Sequence, residues 1–370
     1  VERAVSLARD TELLDALHVG LRGMMEASPV MDQTAYGSAV SAAYEAVWAA
    51  YEARTGLLKS PAQNDDSMSM DIKELKERIF ALLEAHRYAE AESSADALRA
   101  GTADDMIRYL HAYAVERQGD LPRAMALAEE YIAQGRRSLR HEFMRLRAAV
   151  AYRVGDARAA EFYRCAYEEE PSDTALYSSF LLAQNAQNVA ADELFRAHCA
   201  YGALFKETPR YAYAAPYRHE KIRIGYISPD FRRNVMQHFV QPLLTAYDGA
   251  HFEVYVYSTA AEPDEVTAAL RPRADVWYDM GGTAPEGIAA QIHADEIDVL
   301  VDLAGHASGG ALPVLAHKPA PVQVMGLGYT ATSGLDAVNY FLTDALCDPV
   351  GGESEQYFTE QLIRLPSQFV

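Results

Sequence analysis

Cysteine is scarce in this chain: Cys165, Cys199 and Cys347 are the only three among 370 residues, and they lie far apart. With no Cys-x-x-Cys pair and an odd count, no disulfide framework and no zinc site is expected, and metal ligands are assigned to none of the residues. Free thiols fit a reducing compartment, so a cytoplasmic protein is expected. There is no uninterrupted apolar run of about 18 residues, which excludes an obvious membrane-spanning helix, and no signal-peptide pattern is visible. No Gly-x-Gly-x-x-Gly follows the first strand-like run, so the usual dinucleotide fingerprint is absent. A Ser-His-Asp hydrolase is disfavoured because no Gly-x-Ser-x-Gly elbow is present. Positive charge is also short: 33 Lys and Arg face 53 Asp and Glu, a net charge of −20. That balance disfavours nonspecific binding to nucleic acid or an anionic membrane. It leaves a small anionic ligand open, because one Arg or a helix N-terminus overrides the net field locally. An opening Met is lacking too. The chain starts at Val1 and stops at Val370, shortly after an apolar Leu-Ile-Arg-Leu-Pro run, so a fragment is expected.

Half of the residues are apolar, and two different periods divide them. Residues 1–58, rich in Ala, Leu, Met and Glu, have helical spacing and no readable role. Residues 59–70 read as a polar linker. Residues 71–205 carry a weak internal repeat. His86, Gly119 and Gly155 each open a similar stretch, and each is followed five residues on by Ala, at Ala91, Ala124 and Ala160. The spacings are 33 and 36 residues. A period near 34 with small residues at the helix–helix contact is the mark of tetratricopeptide-like repeats, and Pro171 is placed to end the second helix of its unit. Tyr109, Tyr113, Tyr152, Tyr163 and Tyr167 are expected in the repeat core. Residues 206–370 switch to short apolar runs alternating with helical stretches, which implies a parallel sheet covered on both faces, a Rossmann-like α/β lobe. Right-handed crossovers then gather the strand ends at Ser228-Pro229-Asp230, Ser258, Gly305-His306 and Gly326 to Gly334 on one rim.

Five blocks occur in order behind the repeats: IRIGYISPDFRR from Ile222, FEVYVYS from Phe252, IDVLVDLAGH from Ile297, KPAPVQVMGLGYTATSGL from Lys318 and YFLTDALCDP from Tyr340. In this order they resemble the tetratricopeptide-linked O-GlcNAc transferases and SPINDLY-type protein O-fucosyltransferases, over about residues 72–370. The resemblance implies a two-lobed GT-B glycosyltransferase, of which this chain carries the repeats and the first lobe. It implies an inverting, metal-independent transferase that uses a nucleotide sugar, expected to be UDP-GlcNAc, as substrate rather than a cofactor. Acceptor proteins or peptides would be held by the repeats, and neither nucleic acid nor membrane is expected as a partner. Most contacts to the nucleotide are implied for the second lobe, so this polypeptide alone is not expected to transfer sugar. The competing reading is an interaction scaffold that keeps the fold without activity.

Transfer to a hydroxyl requires a route for its proton and donors for the leaving diphosphate. Relatives carry His in a DFRxH-like loop, where this chain has Asn234, which cannot titrate near neutral pH. His238 lies four residues on and is either its replacement or an ordinary helix residue. His306 is kept in a GHT-like loop, with Ala307 and Ala311 where Thr and Arg are expected. His306 and His238 are therefore the candidate catalytic residues. Asn234, Arg232, Gly305, Ser308, Gly309, Gly328, Tyr329, Thr330, Thr332 and Ser333 are the candidate substrate-binding residues, the last five in a loop similar to LGYPGTTG. Arg233 is an alternative phosphate contact. Asp302 is expected to be structural, and Asp230 to orient its loop.

Overall fold

The structure of the protein, a computed structural model, describes residues 72–99, 104–135 and 137–365. The helical segment expected over 1–58 and the linker expected over 59–70 lie outside the described residues.

Eight helices come first: α1 (Ile72–Glu84), α2 (Tyr88–Arg99), α3 (Asp105–Arg117), α4 (Leu121–Ala133), α5 (Arg140–Arg153), α6 (Ala159–Glu169), α7 (Thr174–Asn185) and α8 (Ala191–Ala203). They pack as successive antiparallel pairs. In α1, Leu75, Ile79 and Leu82 recur at helical spacing and are its buried face. Carboxylates fix the starts of α3 and α7: Asp104 accepts from Met106 N and Ile107 N, and Asp173 accepts from Ala175 N and Leu176 N. The periodic His/Gly/Gly has a backbone cause. His86, Gly119 and Gly155 sit in the turn inside the first three pairs with φ of 56°, 87° and 72°. A left-handed residue closes each turn, and glycine adopts that conformation at least cost. Ala91, Ala124 and Ala160 are buried where the paired helices meet. Between pairs, Tyr131 of α4 stacks on Phe143 of α5, ring centroids 3.8 Å apart. Tyr163 is buried, whereas Tyr152, expected in the core, is 37% exposed.

The lobe follows. Its strands are β1 (Ile222–Ser228), β2 (Phe252–Ser258), β3 (Val276–Asp279), β4 (Val299–Asp302), β5 (Val322–Gly326), β6 (Tyr340–Asp344) and β7 (Gln361–Leu365). Helices α9 (Gln237–Thr245), α10 (Glu265–Leu270), α11 (Pro285–Ala294) and α12 (Leu312–Ala316) lie between them. All neighbouring strands are parallel, in the order β3-β2-β1-β4-β5-β6-β7. The run from Gln361 to Leu365, read only as an apolar stretch, adds an edge strand beside β6. Its residues are exposed or half-buried, so it lacks the run of buried residues that marks the central strands.

The chain winds outward from β1 to β3 and then returns to place β4 on the other side of β1. That reversal leaves a crevice at the C-terminal ends of β1 and β4, the general ligand position of such sheets. One apolar cluster joins Leu181 of α7 and Tyr201 of α8 to Ile227, Leu300, Leu315 and Met325 of the lobe. The last helical pair is thus packed into the lobe's own core, and burial is continuous across the expected boundary at 205/206.

Candidate functional site

At the end of β1 the Ser228 hydroxyl accepts from Asp230 N at 3.0 Å, which turns the chain across the crevice. Phe231 is fully buried beneath this turn, and its carbonyl accepts from the Thr267 hydroxyl of α10. Asp230 Oδ1 accepts from Asn234 Nδ2 at 2.7 Å, so Asn234, expected to meet substrate, spends its amide on the loop. Its Oδ1 is buried with no hydrogen-bond partner among the described residues. Arg233 is not free for a phosphate, because it forms an ion pair with Glu265. Arg232 is half-buried with no ion pair among the described residues, and its charge acts on Asp230. His238 sits exposed in the first turn of α9, its ring beside Gln237.

Across the crevice, Asp302 ends β4 in full burial. Its carboxylate accepts from Gly305 N at 2.7 Å and Ala304 N at 3.4 Å. Desolvation nevertheless pushes the carboxyl up to about 7, and the charge of Asp230 adds to the rise. Asp230 is raised as well, by burial, with Arg232 and Asn234 opposing. Two carboxyls that sense each other's charge therefore stand at the ends of β1 and β4, Asp230 half-buried and Asp302 enclosed behind it. Neither was among the residues expected to do chemistry. The signal was present in sequence, since an acid at the end of the apolar run Val299–Val301 has to be buried.

The raised Asp302 carboxyl has a stability consequence. A group raised in the fold favours the native state below its unfolded value and withdraws that support as pH rises through the folded value, here from about 4 to about 7. The three-unit gap corresponds to at most about 4 kcal/mol. Asp302→Asn is therefore expected to flatten the stability of this chain between pH 4 and 8, and to be more stable than the parent at pH 8. Urea unfolding at both pH values checks this; parallel profiles for parent and variant would contradict it.

His306 occupies a different environment from the one expected of a base. It is 1% exposed, with Nδ1 3.0 Å from Ser178 Oγ of α7 and Nε2 3.0 Å from Ser333 O. Burial and then the neighbouring His198 hold its pKa well below the ordinary value, with the Ser333 hydrogen bond opposing. Four of the five residues expected to line a ligand in the Gly328–Ser333 loop are likewise committed to packing. Tyr329 is buried and its hydroxyl meets His198 Nε2 at 2.8 Å. Thr332 Oγ1 and Ser333 N both donate to Glu360 at 2.6 and 2.8 Å, and Ser333 Oγ does so too. Gly328 is backed against the Leu303 carbonyl. Thr330 is exposed, accepting from Asn185 Nδ2 at 3.0 Å. Hydroxyls already bound to a buried carboxylate have no donor left for a ligand.

Ser308 and Gly309 keep a position on the crevice, reached also by an edge of the His306 ring, whereas Gly305 is buried behind them. Their loop closes one side of a cleft of about 380 Å³ whose other wall is Arg145, Tyr163, Ser178 and Tyr201 from the repeats. Thr259 at the end of β2 donates to Gly309 O and ties that loop to the rim. Among the described residues no group of three or more His, Cys, Asp or Glu is arranged to hold a metal ion, and no helix is long and apolar enough to cross a membrane. The roles of Ser178, His198 and Glu360 were not foreseen. Each acts on a partner far away in sequence, and nothing local distinguishes them.

Comparison with known proteins places this geometry. The profile described as glycosyl transferase family 41 matches residues 186–370. The probable UDP-N-acetylglucosamine–peptide N-acetylglucosaminyltransferase SPINDLY of Arabidopsis thaliana is 38% identical over 198 residues, 51% of this chain and 21% of the relative. The UDP-N-acetylglucosamine–peptide N-acetylglucosaminyltransferase of Caenorhabditis elegans is 32% identical over 152 residues, 40% of this chain and 13% of the relative. Among solved structures, a mutant O-GlcNAc transferase of Thermobaculum terrenum superposes with a TM-score of 0.70 at 25% identity, over 80% of this chain and 57% of that one. The matched stretch thus spans about a fifth of the SPINDLY relative.

Proposed function

The chain belongs to glycosyl transferase family 41, and from that premise we propose that it is the repeat module and first lobe of a protein O-glycosyltransferase. The donor is a nucleotide sugar, UDP-GlcNAc by analogy with the names of its relatives, and the acceptors are Ser or Thr hydroxyls of proteins held along the repeats. The observation that carries the reading is the coincidence of the family match with a doubly wound sheet whose crevice holds the Asp230–Asp302 pair.

In the proposed reaction the acceptor oxygen attacks the anomeric carbon and the sugar–phosphate bond breaks. The electron pair leaves on the nucleoside diphosphate, and the configuration at the sugar inverts. Asp230 is the half-buried carboxylate at the crevice that receives the hydroxyl proton. Asp302 lies behind it, holds the Gly305 amide and is itself raised by burial and by the charge of Asp230. Arg232 supplies positive charge to the departing diphosphate. Asn234 holds Asp230 in place, and Ser308 with the Gly305–Gly309 backbone borders the sugar.

The test is a transfer assay on the full-length parent, with UDP-GlcNAc, GDP-fucose and other donors offered in parallel. Turnover with one donor is expected, with kcat lowered about 10²–10⁴-fold in Asp230→Asn and by a similar order in Asp302→Asn. Full activity in both variants would remove the carboxyl pair from the mechanism. Absence of turnover with every donor would remove the transferase itself.

A further inference from the structure

Two imidazoles lie where α7 and α8 meet the rim loops, and hydrogen bonding dictates the tautomer of each. His306 Nε2 faces the Ser333 carbonyl, which can only accept, so Nε2 carries the proton and Nδ1 accepts from the Ser178 hydroxyl. His198 Nδ1 faces the Leu194 carbonyl at 2.7 Å, so its Nε2 accepts from Tyr329 Oη. The rings pack against one another: His306 lies 5.0 Å from His198, 4.7 Å from Tyr201 and 5.2 Å from Tyr329. Every ring nitrogen is spent, and each ring connects a repeat helix to a loop of the lobe.

We infer that His306 is a positioning residue: it clamps Ser178 of the repeats to Ser333 of the lobe, so the helical module sets the geometry of the rim loops 305–310 and 332–335. The inference rests on the transferase reading only for its kinetic consequence. His306 stands one residue from Gly305, whose amide holds Asp302. A shift of the imidazole therefore moves the backbone that fixes the carboxyl. With both nitrogens occupied, the ring has no lone pair to offer an acceptor hydroxyl. Ser178, about 130 positions away in sequence, becomes as consequential as the histidine itself.

Two readouts test this. Amide hydrogen exchange on the present chain is expected to rise about tenfold in loops 305–310 and 332–335 on Ser178→Ala. In the full-length protein Ser178→Ala is expected to lower kcat about tenfold with donor KM within about twofold, and to add little in a His306→Ala background. His306→Gln, whose amide can still donate to Ser333 O, should recover much of what His306→Ala loses. Two results would overturn the clamp. One is unchanged loop exchange in Ser178→Ala. The other is a fully active Ser178→Ala beside a His306→Gln as inactive as His306→Ala, which would make His306 the base. If the parent transfers no sugar, the exchange measurement still decides the clamp, so the two readings fail separately.

Discussion

Gly202→Ala is expected to cost more than about 3 kcal/mol of stability, well above an ordinary surface change. A Cβ on Gly202 of α8 would lie 1.8 Å from the Gly334 carbonyl oxygen, and one on Gly334 would lie 2.0 Å from the His198 carbonyl oxygen. Both obstacles are backbone, which cannot swing aside as a side chain would. Gly334 has in addition a φ of 73°. The repeats and the lobe therefore approach here main chain to main chain, and any side chain must push α8 off its seat. Gly155→Ala is the control. That glycine also has a left-handed φ, but nothing lies within 4 Å of its added Cβ, so a loss of about 1 kcal/mol from backbone strain alone is expected. Denaturant unfolding of the three chains separates the two effects. Equal losses in Gly202→Ala and Gly155→Ala would show that α8 is free to yield. A second transition in Gly202→Ala, with the repeats unfolding apart from the sheet, would follow naturally from lost docking.

The second large effect is expected at Glu360. Its buried carboxylate, at the start of β7, accepts from Thr332 Oγ1, Ser333 N and Ser333 Oγ. Glu360→Ala strands all three donors in a place that water does not reach, at a cost of about 3–5 kcal/mol. Glu360→Gln keeps the shape but turns one oxygen into a donor facing donors, so about half of that loss is expected. The loop it holds contains Ser333, the acceptor for His306, so Glu360→Ala should also raise amide exchange at 332–335. Stability within about 0.5 kcal/mol of the parent would mean that the loop is held by other means.

Much of this organisation was legible in the chain. The 33- and 36-residue spacings announced helical pairs, because a left-handed turn residue and a small contact residue are demanded once per unit. The five central strands were readable, since a central strand in a parallel sheet must be apolar on both faces, and the edge strand β3 was readable from its Val276-Trp277-Tyr278 run. β7 was not, because an edge strand with half-exposed residues carries no such demand. The ordered blocks identified the family before any geometry was available. Among candidate site residues, Ser308 and Gly309 line the cleft and the His306 ring reaches its edge. Gly305, Tyr329, Thr332 and Ser333 are turned into the packing behind it.

Sequence alone thus determined most of the secondary structure, its pairing by period and the class of fold. Those properties depend on residues a few positions apart, where covalent geometry ties side-chain spacing to backbone conformation. Only the tertiary structure decided which polar groups on that rim are free. Ser178 meets His306 across 128 positions, His198 meets Tyr329 across 131, and Glu360 meets Ser333 across 27. Whether a hydroxyl or an imidazole still has a lone pair to offer depends on which distant group the packing brings to it. Burial, too, is collective: the rise of Asp302 to about 7 is produced by the whole shell of apolar neighbours that excludes water, with Asp230 adding its charge.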